Sequence, residues 1–194
     1  MNKKIIVVCG YLAGGKSTFA KRLSKELNVP YFIKDTFKMQ LCANIEVLNR
    51  EEKSRFSAVT FDAMMYVAER FMETGFPIII EGNFAPRGIK KIDEAGVIKS
   101  LIDKYDYRAL TYKFIGDTKI LHKRFTDREK LAERGWVNQF DEGEIPYEKF
   151  NIWCHNLDDF NVGGIVTTID TTDFLNVDFE ILIETARSFF SPEK

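Results

Sequence analysis

Cysteine is scarce in this 194-residue chain: there are three, Cys9, Cys42 and Cys154, and no two stand at C-x-x-C or zinc-ligand spacing. An odd count without pairing fits a reducing compartment, so the three read as free thiols that mostly serve packing. Histidine is scarcer still. His122 and His155 are isolated in the sequence, neither with a second ligand at metal spacing, which argues against a zinc centre or a histidine-based catalytic site. Excess charge is also missing. Twenty-eight basic residues against 29 acidic ones leave a formal net charge of -1, which excludes a non-specific nucleic-acid coat and leaves only a local basic channel open. Long apolar runs are absent too. About five apolar residues lie between Met1-Asn-Lys-Lys and Gly10, too few for a signal segment, and nothing approaches the ~20 residues of a membrane span. The expectation is a cytoplasmic protein with no membrane contact and no obligate protein partner.

What is present is ordinary globular material. The chain is 45% hydrophobic and 29% charged, without repeat, linker or biased tract, so one domain spanning 1–194 is the economical reading. Ile5-Ile-Val-Val-Cys9 is a β-branched run of the kind buried on both faces of a parallel sheet. Further short strands are expected at Tyr31–Ile33, Phe76–Ile80, Tyr107–Ile115 and Gly164–Ile169. Between them run helical patterns. One follows Gly15 and stops at Asn28 before Pro30; one is expected over 36–49, and a long one over 51–74 carries Phe61, Met65, Ala68 and Met72 on one stripe. Others are expected up to Asp106, over 118–133 after the Gly116-Asp117 turn, and at the carboxyl end with Phe179, Leu182, Ile183, Ala186 and Phe190. Strands alternating with helices predict an α/β fold: a three-layer α/β/α sandwich on a five-stranded, mainly parallel sheet.

The most specific signal lies between the first strand and the first helix. Gly10-Tyr-Leu-Ala13-Gly14-Gly15-Lys16-Ser17 fits G-x-x-x-x-G-K-[ST], the P-loop pattern. A polyphosphate needs many donors converging on it. Glycines let the backbone wrap with N–H groups inward, and the first turn of the next helix adds unpaired donors and its dipole. Gly10, Ala13, Gly14, Gly15, Lys16, Ser17 and Thr18 are therefore the candidate nucleotide cradle. Lys16 would reach the β- and γ-phosphates, and the Ser17 hydroxyl would ligate Mg²⁺. No N-K-x-D tetrapeptide follows, so guanine reading is not expected and ATP is the expected nucleotide.

Three further segments complete a pattern: Lys34-Asp35-Thr-Phe-Lys38, Ile80-Glu81-Gly-Asn83 and His122-Lys-Arg124-Phe-Thr-Asp-Arg128. Together with the loop they resemble the small P-loop kinases. More narrowly, they look like the group of polynucleotide 5′-kinase domains, zeta-toxin-like kinases and AAA-33 ATP-binding proteins. The resemblance implies a P-loop NTPase fold, a helical lid around 118–150, and an acceptor bound opposite the nucleotide.

Asp35 follows the second strand, at the sheet edge where α/β ligands bind. A carboxylate there can orient an acceptor hydroxyl and take its proton, and the resemblance gives it that role; the alternative is a helix cap. Lys38 lies one turn on, where the resemblance expects an arginine gripping an acceptor phosphate, and lysine cannot make that fork. Glu81 can hold magnesium through water or position the acceptor, and Asn83 and Arg87 are further acceptor-side candidates. Arg124 and Arg128, four residues apart on one helix face, are the candidates for closing over the γ-phosphate, with the other meeting adenine or ribose. Gly135 and Gly143 are candidate lid hinges, and Trp136 and Phe140 are either lid cover or a satellite core. The expected activity is phosphoryl transfer from ATP to a hydroxyl, with a small molecule favoured as acceptor. A nucleic-acid 5′ end and a nucleotide switch using only water are the alternatives.

Overall fold

The computed structural model describes residues 3–43, 45, 50–84, 93–129 and 145–191. Five strands, β1 (Lys4–Gly10), β2 (Tyr31–Ile33), β3 (Ile78–Glu81), β4 (Arg108–Ile115) and β5 (Ile165–Asp170), form one sheet in the order β2-β3-β1-β4-β5. Every pairing is parallel, with Val8 opposite both Glu81 of β3 and Tyr112 of β4. The helices are α1 (Lys16–Leu27), α2 (Lys34–Cys42), α3 (Arg50–Glu73), α4 (Glu94–Tyr105), α5 (Thr118–Glu129), α6 (Tyr147–His155) and α7 (Phe179–Phe190).

The layers follow from the two-residue period of a strand. In β1, Ile5, Val7 and Cys9 join the core packed by α3 and α4, with Phe61, Met64, Met65, Ala68 and Met72 from α3. Ile6 and Val8 point the other way, to Phe19, Ala20 and Leu23 of α1 and Ile183, Ala186 and Phe189 of α7. All seven β1 residues are buried, which is why its sequence shows no polar alternation. A third, smaller core joins Tyr11 to Leu121 of α5 and to Ile145, Phe150 and Cys154.

Helix ends mostly obey local chemistry. Asn28 closes α1 in the left-handed conformation, and Asp93 caps α4 by accepting from the Gly96 N–H. Asp117 accepts from the amides of Lys119 and Ile120 at the start of α5. Helix α2 departs from expectation. It begins at Lys34, directly after β2, and ends at Cys42 rather than extending from 36 to 49; positions 44 and 46–49 lie outside the described residues. Helix α5, expected over 118–133, is described to Glu129; positions 130–133 and the lid candidates Gly135, Trp136, Phe140 and Gly143 lie outside the described residues. Positions 147–155 form α6 behind Pro146, which carries Trp153, Cys154 and His155. No helix among the described residues is long and apolar enough to cross a membrane.

The strand order places the site. After β1 the chain moves past β3 to β2, and after β3 it crosses β1 to reach β4. The connections leaving β1 and β3 thus diverge, opening a crevice at their carboxyl ends, the switch point where ligands of such sheets bind.

Candidate active site

The loop leaving β1 is shaped by close backbone approach. Gly10 has φ +117°, and a Cβ there would lie 2.0 Å from the Phe114 carbonyl oxygen, so no other residue fits without moving β4. Gly15, at φ +84°, turns the chain into α1. No side chain caps α1 and its first turn holds no acidic residue, so the positive end of the helix faces the loop undiminished. Gly14 is buried, Ala13 is half-buried with φ +59°, and Thr18 is exposed. The loop has the form of an anion cradle.

Lys16, the first residue of α1, is buried and donates to the Tyr11 carbonyl oxygen at 2.6 Å, across the loop. Burial lowers its pKa, while the charges of Glu81 and Asp35 support the ammonium and Arg128 opposes it. Ser17 Oγ donates to Glu81 Oε2 at 2.9 Å. Burial pushes the Glu81 carboxyl up to about 7, against the pull of Lys16 and the Ser17 hydrogen bond. A hydroxyl and a buried carboxylate in contact at the phosphate loop form a hard oxygen set suited to Mg²⁺, and a divalent charge would relieve the cost of ionising Glu81 there.

Asp35 stands in the first turn of α2, two residues past Ile33, which pairs in register with Glu81. The N-cap position belongs to Ile33, so the alternative of Asp35 as the cap is not what the helix uses. Its side chain is 70% exposed and Oδ1 lies 3.3 Å from Lys38 Nζ. Its charge raises the pKa of both Lys16 and Glu81, in keeping with its place beside the paired ends of β2 and β3. Asn83 is half-buried just past β3, and Arg87 lies outside the described residues.

The structure separates the two lid arginines. Arg124 donates to the carbonyls of Thr171 and Thr172, after β5, and its guanidinium lies 4.3 Å over the Phe174 ring. Phe174 also borders the loop, since a Cβ on Gly15 would sit 3.0 Å from its Cε1. Arg128 is near enough to Lys16 and Glu81 for its positive charge to lower the pKa of both. Two residues four apart on one helix thus have different neighbours.

Other residues near the site carried no sequence signal. Lys34, next to Asp35, forms a buried ion pair with Glu94 at the start of α4, and its ammonium lies 5.2 Å over the Phe61 ring. Tyr11 reaches Asp158 and His155, 147 and 144 positions away. His122 Nε2 lies 2.8 Å from the Ile145 carbonyl oxygen, with its ring against Phe150. No group of three or more metal-ligating side chains of the His, Cys, Asp and Glu type occurs among the described residues.

No protein-family model matches the chain, and no curated protein matches it in sequence. Solved structures do match. A candidate kinase from Chloroflexus aurantiacus superposes with a TM-score of 0.78 at 21% identity, over 96% of this chain and 95% of that one. Shikimate kinase from Bacteroides thetaiotaomicron gives a TM-score of 0.56 at 14% identity, covering 95% and 97%. A gluconokinase from Sinorhizobium meliloti gives 0.54 at 13%, covering 97% and 92%. At these identities the likeness is one of fold: the chain has the α/β P-loop architecture of small kinases.

Proposed function

We propose that the chain is an ATP-dependent phosphotransferase that moves the γ-phosphoryl group of ATP to a hydroxyl of a small molecule. The observation that carries this reading is convergence: Glu81 at the end of β3 accepts from Ser17 of the loop, and Asp35 follows the paired end of β2, so the two carboxylates and the loop meet at the carboxyl edge of the sheet. A nucleotide switch needs the loop but not an exposed carboxylate there. The fold neighbours support a small acceptor, since they include a shikimate kinase and a gluconokinase.

In this reading the backbone from Gly10 to Thr18 holds the polyphosphate, and Lys16 exchanges the Tyr11 carbonyl for phosphate oxygens. Ser17 and Glu81 would hold Mg²⁺, which supplies charge neutralisation at the phosphates. Asp35 accepts the proton as the acceptor oxygen forms its bond to the γ-phosphorus. The bond from that phosphorus to the bridging oxygen breaks, and ADP leaves with the electron pair. Arg128 balances charge on the γ-oxygens, while Arg124 and Phe174 border the base end. The lid of this single domain is the segment around 118–150.

The test is transfer of label from γ-labelled ATP to pooled hydroxylated metabolites and antibiotics, to a 5′-OH oligonucleotide, and to water alone. Lys16→Ala and Asp35→Asn serve as controls. Transfer to a small molecule, reduced at least ~100-fold by either substitution, is the expected result. Transfer confined to the oligonucleotide would move the acceptor class. Phosphate release to water alone, indifferent to Asp35→Asn, would leave a nucleotide switch.

A further inference from the structure

The Tyr11 side chain belongs to neither main core. It is 6% exposed and packs in the small core beside Leu121, Phe150 and Cys154, yet its backbone is the second residue of the phosphate loop. Three bonds hold it. Its N–H donates to the Phe114 carbonyl at 2.7 Å, its carbonyl accepts Lys16 Nζ at 2.6 Å, and its hydroxyl donates to Asp158 Oδ1 at 2.6 Å. Asp158 is itself fixed. Its other carboxylate oxygen lies 2.7 Å from His155 Nδ1, and its carbonyl accepts the Lys113 ammonium. His155 Nδ1 also stands 3.2 Å from the Tyr11 hydroxyl, with its ring edge-on at 5.6 Å.

These contacts close a ring. Lys113 and Phe114 are neighbours on β4; one holds Asp158, the other holds Tyr11, and the hydroxyl–carboxylate bond joins the two. The Asp158 carboxyl responds accordingly: burial would raise its pKa, but the Tyr11 and His155 hydrogen bonds bring it below the ordinary value. A closed ring of short bonds, two of them charge-assisted, leaves residue 11 little freedom, and the carbonyl of that residue is where Lys16 rests.

We propose that Tyr11, tethered by Asp158 and His155, is a positioning residue for nucleotide binding: it fixes the loop backbone and the resting place of Lys16, and so ties the phosphate site to the α6 end of the chain. The proposal rests on the phosphotransferase reading only in taking ATP as the ligand. A loop already ordered spends little of its binding energy on ordering, so cutting the tether is felt as lost ATP affinity.

The experiment is calorimetric titration of the full chain with MgATP, alongside thermal unfolding without nucleotide. Tyr11→Phe keeps the ring and removes the hydroxyl. It is expected to weaken the Kd about tenfold, as is Asp158→Asn, and the double variant is expected to be no weaker than the worse single one. Phe150→Leu loosens the same small core without touching the tether; its unfolding midpoint is expected to fall while its Kd holds. An unchanged Kd in Tyr11→Phe overturns the proposal, even if stability drops. An equal loss in Phe150→Leu also overturns it, because general packing would then be the cause. If the wild-type chain does not bind MgATP, the nucleotide reading fails and this inference with it; if wild type binds and Tyr11→Phe binds equally, this inference fails alone.

Discussion

Two lysines four residues apart on helix α2 each meet a carboxylate, and the two pairs are opposites. Lys34 and Glu94 are each 4% exposed, whereas Lys38 is 14% exposed and its partner Asp35 is 70% exposed. In the first pair both charges have left water and hold each other across two helix starts. In the second the carboxylate is open to solvent and its lysine lies 3.3 Å away, the long side of an ion pair. The buried pair braces the start of α2 against α4, and the open one leaves its carboxylate exposed where the acceptor is proposed to bind.

The comparison breaks most visibly at the buried pair. Glu94→Ala would take the carboxylate away from the buried Lys34 ammonium, which lies over the Phe61 ring, and is expected to cost about 3–5 kcal/mol in urea unfolding. Replacing both members, as Lys34→Met with Glu94→Leu, is expected to recover most of that loss, since two apolar side chains need no partner. Should Glu94→Ala unfold no more easily than wild type, the pair is not what seats α2.

Glu81 lies between the two extremes: buried like Glu94, but answered by a hydroxyl hydrogen bond and a charge at a distance rather than by an ammonium in contact. Its carboxyl keeps its proton to about 7 in the folded chain and loses it near 4.5 when unfolded. Between those values the folded state binds more protons, so stability falls as pH rises from about 4.5 to 7 and stays at the lower level above. The shift corresponds at most to roughly 3 kcal/mol. Unfolding in metal-free buffer across that range is expected to show the decline, and Glu81→Gln to flatten it. A wild-type profile as flat as the variant's would remove the basis for a strained carboxylate that a cation relieves.

What the sequence made legible follows the range of the interactions. Strand β1, the loop and α1 are written in one unbroken stretch from Lys4 to Leu27 by β-branching, glycine and an amphipathic stripe, and each of those is a local cause. The layer assignment of Phe61, Met65, Ala68 and Met72 follows from a 3.6-residue period in the same way. The start of α2 was missed because it depends on a partner 60 residues later: lysine next to a site reads as solvated surface until Glu94 is brought against it. The ring at Tyr11 spans 147 positions, and no local pattern marks a tyrosine hydroxyl for a distant aspartate. Arg124 and Arg128 were legible as a pair on one face. Which of the two goes where was not, since the segment after β5, with Thr171, Thr172 and Phe174, is what takes Arg124.

The smallest effect is expected at the open pair, and it sharpens the contrast from the other side. Lys38→Ala removes an ammonium from a half-exposed ion pair, where screening and side-chain entropy offset most of the attraction. Unfolding free energy is therefore expected to change by no more than about 0.5 kcal/mol. Lys38 does not touch the phosphate loop, so the Kd for MgATP is expected to hold as well. The change belongs in the KM for the acceptor once one is in hand, because the lost charge stands beside the carboxylate that would orient its hydroxyl. A Lys38→Ala chain that binds acceptor as before but unfolds several kcal/mol more easily would reverse the assignment, making this pair the support and leaving the buried one in need of another explanation.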